Sequence, residues 1–382
     1  MKITDIKTFV VRGGHRNWVF CKVETDENIH GWGEGSLERH EFAVESGIKL
    51  LAERLIGNDP TQIERNWQIM YRHGFWRGGV VMGSAMAAID IALWDLTGKV
   101  YNLPIYKMLG GAVRDRVRAY THADDLRGGW DQVDKGFSAY KTGGWKIEKN
   151  SFHEKDVVED LYEKIKSMRE YLGPEPLIMI DNHGRSRPSV AIRQMEAVQE
   201  FDITFFEEPI PPDNLDAMEQ IRNSGIRMDI ATGERLFFRY GFRDILHRRL
   251  TDVIQPDIAH TGGISEIKRI ASMAEIEYIK FAPHNPNGPI ASAASLHVCA
   301  TVPNFLILET ARDMPWNDKI QTNPLVIKDG YFELPTAAGL GTDLDEEVLC
   351  TRPLKQEDSE RSGNAGGDSG SWNAEDGSPA DV

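Results

Sequence analysis

Six polar residues recur at one interval. Asp181, Glu207, Glu234, Asp257, His284 and Glu309 stand 23 to 27 residues apart, at the ends of the short apolar runs PLIMIDNH, ITFFEEP, MDIATGE, DVIQPD, YIKFAPH and NFLILET. One strand–helix unit of a barrel takes about that length, so the pattern predicts six side chains at one mouth, each on the next strand round. Asp181, Glu207 and Glu234 would then bring three carboxylates together. Charges that close repel and raise one another's pKa unless a cation offsets them. Mg²⁺ accepts carboxylate and water oxygens, which makes these three its candidate ligands. A lone acid at a strand end is more often a cap or a turn residue. Three at consecutive strand ends with matched spacing favour the metal. FFEEP offers both Glu207 and Glu208. Side chains alternate along a strand, so one of them faces the site, and the spacing to Asp181 selects Glu207. His183 follows Asp181 by two residues, which aims it at the same pocket.

The elements that must position these groups fall into two units. Residues 2–11 and 18–25 are rich in β-branched and aromatic residues and flank a Gly-Gly pair, which predicts a hairpin. Helical periodicity follows near 41–56, 60–73 and 81–99. Residues 1–115 are thus expected to form an α+β capping unit. From Val117 the pattern changes to eight apolar runs alternating with amphipathic helices; VRAYTH and GWKIEK precede the six already quoted. Such alternation predicts parallel strands with helical crossovers and, with eight repeats, a (β/α)₈-type barrel over 116–325. In the segment 326–355, VIKDGYFELP is expected to form a hairpin returning to the capping unit. Residues 356–382 are rich in Gly, Ser and acids and almost free of aliphatics, so they are expected to be a disordered tail; Trp372 within it has no assigned role.

The chain has 382 residues and a formal net charge of −15, which argues against a nucleic-acid or anionic-membrane partner. An acidic small-molecule substrate stays open, because a bound divalent cation supplies local positive charge. Cys21, Cys299 and Cys350 form neither a disulfide framework nor a zinc spacing. The N-terminal stretch lacks signal-peptide architecture, and no apolar run approaches the ~18 residues of a membrane span. A cytoplasmic protein is expected.

The motifs IDNHGR, FFEEPI, ATGER, IQPDIAHTGGISE and APHNPNGPIASAASLHV, with GFWRGGVVMGSAMAAIDIALWDLTGKVYNLPIYKMLGG before them, resemble the mandelate racemase branch of the enolase superfamily. Among its members the acid-sugar dehydratases are most similar, and of these the D-galactonate dehydratases. The resemblance spans about residues 1–350. It implies a capping domain over a modified barrel, and one Mg²⁺ held by Asp181, Glu207 and Glu234. It also implies abstraction of the proton α to a carboxylate, with an enediolate whose charge the metal offsets. By the same resemblance His284 is the base that takes the C2 proton and Asp257 its orienter. His183 is the acid that protonates the departing 3-hydroxyl, and Glu309 hydrogen-bonds the enediolate, which requires that it be protonated or paired. His122, in AYTHADD, is a candidate substrate-binding residue. Homo-oligomers are usual in such families.

One stretch departs from the pattern. Mandelate racemases carry a Lys-x-Lys motif on the second barrel strand; here WKIEKN would place Lys146 and Glu148 on one strand face, with Glu148 at the second Lys position. That counts against a racemase with a base on each side of the substrate and fits a dehydratase. Both residues are candidate substrate contacts. The expected product is a 2-keto-3-deoxy acid, from D-galactonate first and gluconate second. An epimerase, racemase or cycloisomerase of the same superfamily is the alternative, with a non-catalytic binding protein behind it. His15, His30, His40, His73, His153, His247 and His297 read as surface or core residues, while His260 stays ambiguous.

Overall fold

The computed structural model describes residues 1–13, 16–123, 136–143, 154–310, 319–356 and 378. Ile3–Arg12 (β1) and Asn17–Thr25 (β2) pair antiparallel, and His30–Glu34 (β3) adds to β2 with Phe20 opposite Glu34. Three helices cover this sheet: Glu41–Ala52 (α1), Ile63–Arg72 (α2) and Val80–Tyr101 (α3). α3 lies directly on β3 because Gly31, Gly33 and Gly35 carry no side chain. A Cβ at these positions would overlap the carbonyl oxygens of Ala92, Ala88 and Ser84. Contrary to the sequence reading, α3 is long and apolar enough, by length and composition, to cross a membrane. Most of that stretch is buried in the protein core, which accounts for its apolar character.

After a short helix, Ile105–Met108 (α4), eight parallel strands form the barrel. They are Arg116–His122 (β4), Ala139–Gly143 (β5), Leu177–Asp181 (β6), Ile203–Glu207 (β7), Ile230–Thr232 (β8), Val253–Ile254 (β9), Lys280–Phe281 (β10) and Leu308–Glu309 (β11). Neighbours pair in chain order. β11 closes the ring by pairing with β4, Glu309 opposite Tyr120, while a bridge from Phe281 to Phe305 joins the seventh and eighth strands. Tyr120, Ala139, Met179, Phe205, Ala231, Val253, Ala282 and Ile307 pack into one buried cluster, one residue from each strand or its immediate flank. This is the filled interior of a barrel rather than a pore. The crossover helices are Glu154–Leu172 (α5), Pro188–Val198 (α6), Leu215–Arg222 (α7), Phe238–His247 (α8), Ile264–Ile276 (α9) and Pro289–Thr301 (α10).

Two sequence expectations need correction. The strand that pairs with β4 and β6 is Ala139–Gly143, ahead of the expected GWKIEK, which lies outside the described residues; its Gly143 stands opposite Asp181. The C-terminal hairpin, Ile327–Lys328 (β12) and Tyr331–Glu333 (β13), pairs antiparallel with β4 of the barrel. It is the chain beyond it that reaches the capping unit, where Leu340 N–H donates to Asp95 and Leu354 N–H to the Val10 carbonyl. A last short helix, Glu346–Leu349 (α11), lies between those contacts. Lys146, Glu148 and His153 lie outside the described residues, as does nearly all of the expected tail, Trp372 included.

Candidate active site

Each strand delivers one group to the mouth. β6 ends on Asp181 and β7 on Glu207, which stand opposite each other in register and are both buried. β8 stops two residues short of Glu234. Between the first two carboxylates rises a residue absent from the sequence reading. Lys141 on β5 is opposite Met179, below Asp181, and its long side chain brings Nζ to 3.0 Å from Asp181 Oδ2, 3.1 Å from Glu207 Oε2 and 3.1 Å from Glu309 Oε1. One buried ammonium thus faces carboxylates from three strands.

Glu309 is fully paired. Its Oε1 also lies 2.7 Å from His122 Nε2, at the end of β4, and its Oε2 accepts the backbone N–H of Asn285 at 2.9 Å. Burial works against its charge, but Lys141, His284 and His122 hold it well below the usual carboxylate range. The carboxylate is therefore ionised and paired rather than protonated. Asp181 behaves alike: against the cost of burial, His183 and Lys141 keep it low. Glu207 goes the other way, raised by burial and by the surrounding carboxylates.

The two histidines stand on either side of Glu234. His284 Nδ1 lies 2.7 Å from Asp257 Oδ2, and its Nε2 lies 3.2 Å from Glu234 Oε2. Burial opposes its protonation, yet Glu234, Glu309 and Asp257 together raise it to about 10. Asp257 is itself fixed by the Ala259 N–H at 2.7 Å and by Asn287 Nδ2 at 2.9 Å. His183 Nε2 lies 3.1 Å from Asp181 Oδ2, and the His183 N–H donates to Asp181 Oδ1 at 3.1 Å. Asp181 raises its pKa above the ordinary histidine value.

The capping unit pins this arrangement from above. Glu34 of β3 is completely buried and caps the first turn of α10, accepting the N–H groups of Gly288, Ile290 and Ala291 at 2.7, 3.1 and 2.8 Å. That fixes the loop carrying His284, Asn285 and Asn287. His260 packs beneath it, with Nδ1 3.0 Å from Ser84 Oγ, and burial lowers its pKa. It serves the cap–barrel contact. His297 is a satisfied core residue, its two ring nitrogens engaged by the Tyr106 N–H and the Leu340 carbonyl.

Asp181, His183 and Glu234 each offer a ligand atom within 4.8 Å of the others. With Glu207 adjacent, the donors are mainly hard carboxylate oxygens. The residues fit a hard divalent cation. The geometric trio has His183 where the sequence reading placed Glu207, whose carboxylate is turned to Lys141.

Comparison with known proteins places the chain in a family. Residues 5–110 match the mandelate racemase / muconate lactonizing enzyme N-terminal domain, and residues 126–348 the enolase C-terminal domain-like model. D-galactonate dehydratases of Cronobacter sakazakii and Ralstonia pickettii are each 35% identical to the chain, covering 92% and 94% of it and 94% and 96% of their own lengths. An Agrobacterium radiobacter enolase, a candidate galactarate dehydratase solved with sodium and L-malate, superposes with a TM-score of 0.89 at 31% identity over 100% of both chains. An enolase-superfamily member from Salmonella Typhimurium does so with a TM-score of 0.86 at 30% identity, over 93% of this chain and 100% of its own. The chain belongs to the mandelate racemase branch of the enolase superfamily, alongside its dehydratases.

Proposed function

We propose that the chain, a hydro-lyase, dehydrates a sugar acid: it takes the C2 proton, releases the 3-hydroxyl as water and leaves a 2-keto-3-deoxy acid. The observation that carries this reading is the placement of two histidines around one carboxylate cluster, each oriented by its own aspartate. His284 is held through Nδ1 by Asp257, which orients the ring. Its Nε2 lies against Glu234, first among the groups that raise its pKa; with Glu234 committed to a cation, the imidazole would be neutral and its Nε2 would take the C2 proton. His183, kept protonated by Asp181, delivers a proton to the leaving hydroxyl. Asp181, Glu207 and Glu234 would hold Mg²⁺, which when bound offsets the negative charge developing on the substrate carboxylate. Lys141 adds a fixed positive charge at the same end of the pocket. Glu309, ionised and tied to Lys141, orients His122, whose half-exposed ring is available to a substrate oxygen. Lys146 and Glu148, outside the described residues, are proposed as further substrate contacts. D-galactonate is the first candidate substrate and gluconate the second.

The test is a panel of hexonates and pentonates incubated with purified protein and Mg²⁺, scored for 2-keto-3-deoxy acid. Turnover of one acid, abolished by EDTA and by His284→Asn, is expected. Exchange of the C2 proton in D₂O without release of product would replace the dehydratase by an epimerase.

A further inference from the structure

Two motif residues remain without a role, the second Glu of FFEEP and the Arg of ATGER. β7 ends at Glu207, and Glu208 follows it with φ +41°. Its carboxylate is completely buried and meets Arg235 from the next loop: Nε donates to Oε1 at 3.1 Å and Nη2 lies 2.6 Å from Oε2. The same Nη2 donates to the backbone carbonyl of His183 at 3.1 Å. The Glu208 carbonyl in turn accepts the Gly184 N–H at 2.8 Å and Asn182 Nδ2 at 3.2 Å. Residues 182–184 are therefore held by the main chain of Glu208 directly and by its side chain through Arg235.

What is gripped is strained. His183 sits at φ +50° and Gly184 at φ +67°. A residue with a Cβ pays about 1–2 kcal/mol for the left-handed region, so something must hold His183 there. A Cβ at Gly184 would overlap Arg235 Nη2, so the glycine is what lets the guanidinium lie against this turn. The turn folds His183 back onto Asp181, with its N–H and its ring Nε2 both on that carboxylate. An ion pair whose arginine is half-exposed adds little net stability by itself, so the third contact, to the His183 carbonyl, is the informative one.

We propose that Glu208 and Arg235 are positioning residues that clamp His183 in its left-handed conformation and so serve the proton delivery to the leaving group, not the C2 proton abstraction. This rests on His183 being the acid of the reaction proposed above. Arg235→Lys separates the two functions of the arginine. Lysine keeps a charge for Glu208, which protects the fold, but its single ammonium cannot reproduce the planar fork that spans the carboxylate and the carbonyl.

The experiment uses the full chain with Mg²⁺ in D₂O and the acid identified by the panel, following by NMR both loss of the C2–H signal and release of keto-deoxy acid. For Arg235→Lys and Glu208→Gln, release is expected to fall about 100-fold in kcat while exchange stays within about threefold of wild type, since a misplacement near 1 Å costs about that factor in the step it touches. Release and exchange falling together, or neither falling, would overturn the clamp. Mg²⁺ affinity by calorimetry should stay near that of wild type; its collapse would show a general structural role and also overturn it. If the wild type exchanges C2 without release, the dehydratase reading fails instead. The clamp is then judged on crystal structures of Arg235→Lys: departure of His183 from its left-handed conformation and of its ring from Asp181 supports it, and an unchanged turn refutes it.

Discussion

Lys141→Met isolates the charge balance of the mouth. In the wild type one ammonium lies 3.0–3.1 Å from Asp181, Glu207 and Glu309, all buried. Methionine keeps most of the volume and removes the charge. Breaking a buried pair by removing one partner costs about 3–5 kcal/mol, because the other charge stays behind uncompensated. Here three stay behind, and the loss of unfolding free energy in EDTA is expected at the upper end of that range. Mg²⁺ should then stabilise the variant more than the wild type, since it replaces the missing charge and no longer meets a competing one. At one Mg²⁺ concentration applied to both proteins, a hundred times the variant's Kd returns about 2.7 kcal/mol to the variant, and the wild type, with its weaker Kd, gains less.

The pH dependence has a definite sign. In the wild type Asp181 and Glu309 are held below their ordinary values, so their contribution is present above about pH 4 and lost as pH falls below it. Without Lys141 the crowded carboxylates lose a shared counter-charge and titrate higher than in the wild type. The variant's deficit is then greatest at pH 8 and shrinks as pH falls toward 5. Urea unfolding at pH 5 and 8, with EDTA or Mg²⁺, reads all of this. Equal Mg²⁺ increments in variant and wild type, or a deficit independent of pH, would refute the assignment of Lys141 as counter-charge to the cluster.

Three further outcomes are expected. Asp257→Asn removes the charge that orients His284, and C2 exchange should fall by about 10²–10⁴-fold, the usual range for a general base, while Mg²⁺ binding is largely retained; an unchanged exchange rate would remove Asp257 from the mechanism. Glu34→Ala strips three backbone N–H groups at the start of α10 of their acceptor, and urea unfolding should show a loss of about 1–3 kcal/mol, with no loss if solvent replaces the carboxylate. Burial lowers His297 to about 4, where it accepts from Tyr106 as neutral imidazole. A histidine depressed in the fold supports stability above its unfolded value near 6.5 and loses that support as pH falls toward 4, so His297→Gln should flatten the acid limb of the stability curve between those values.

The mouth was legible where chemistry ends an apolar run. Asp181, Glu207 and Glu309 are the last residues of their strands, and Glu234, Asp257 and His284 follow theirs by two or three positions. Strands of two or three residues were still found from those endings, although periodicity over so short a stretch carries almost no signal. Alternation admits one of Glu207 and Glu208 and the spacing to Asp181 selects Glu207, but Glu208 is left without a place, because its positive φ is a backbone property that no side-chain pattern announces. The buried acids of the capping unit, Glu34 and Asp90, could not be told from surface acids, since Glu34 is satisfied chiefly by backbone groups, and Asp90 by the backbone and hydroxyl of Ser265, far away in sequence.

Lys141 shows why the second strand was misplaced. A charged residue inside a fully buried strand violates the apolar pattern that identifies such strands. SAYKTG thus reads as a polar interruption, whereas GWKIEK alternates as a half-buried strand should. The lysine is tolerated in the barrel interior only because three carboxylates converge on it, and they come from β6, β7 and β11, up to 168 residues further along the chain. The group that breaks the local rule is the one the site requires, so the error in the strand and the omission of the residue have one cause: a charge whose compensation is entirely non-local.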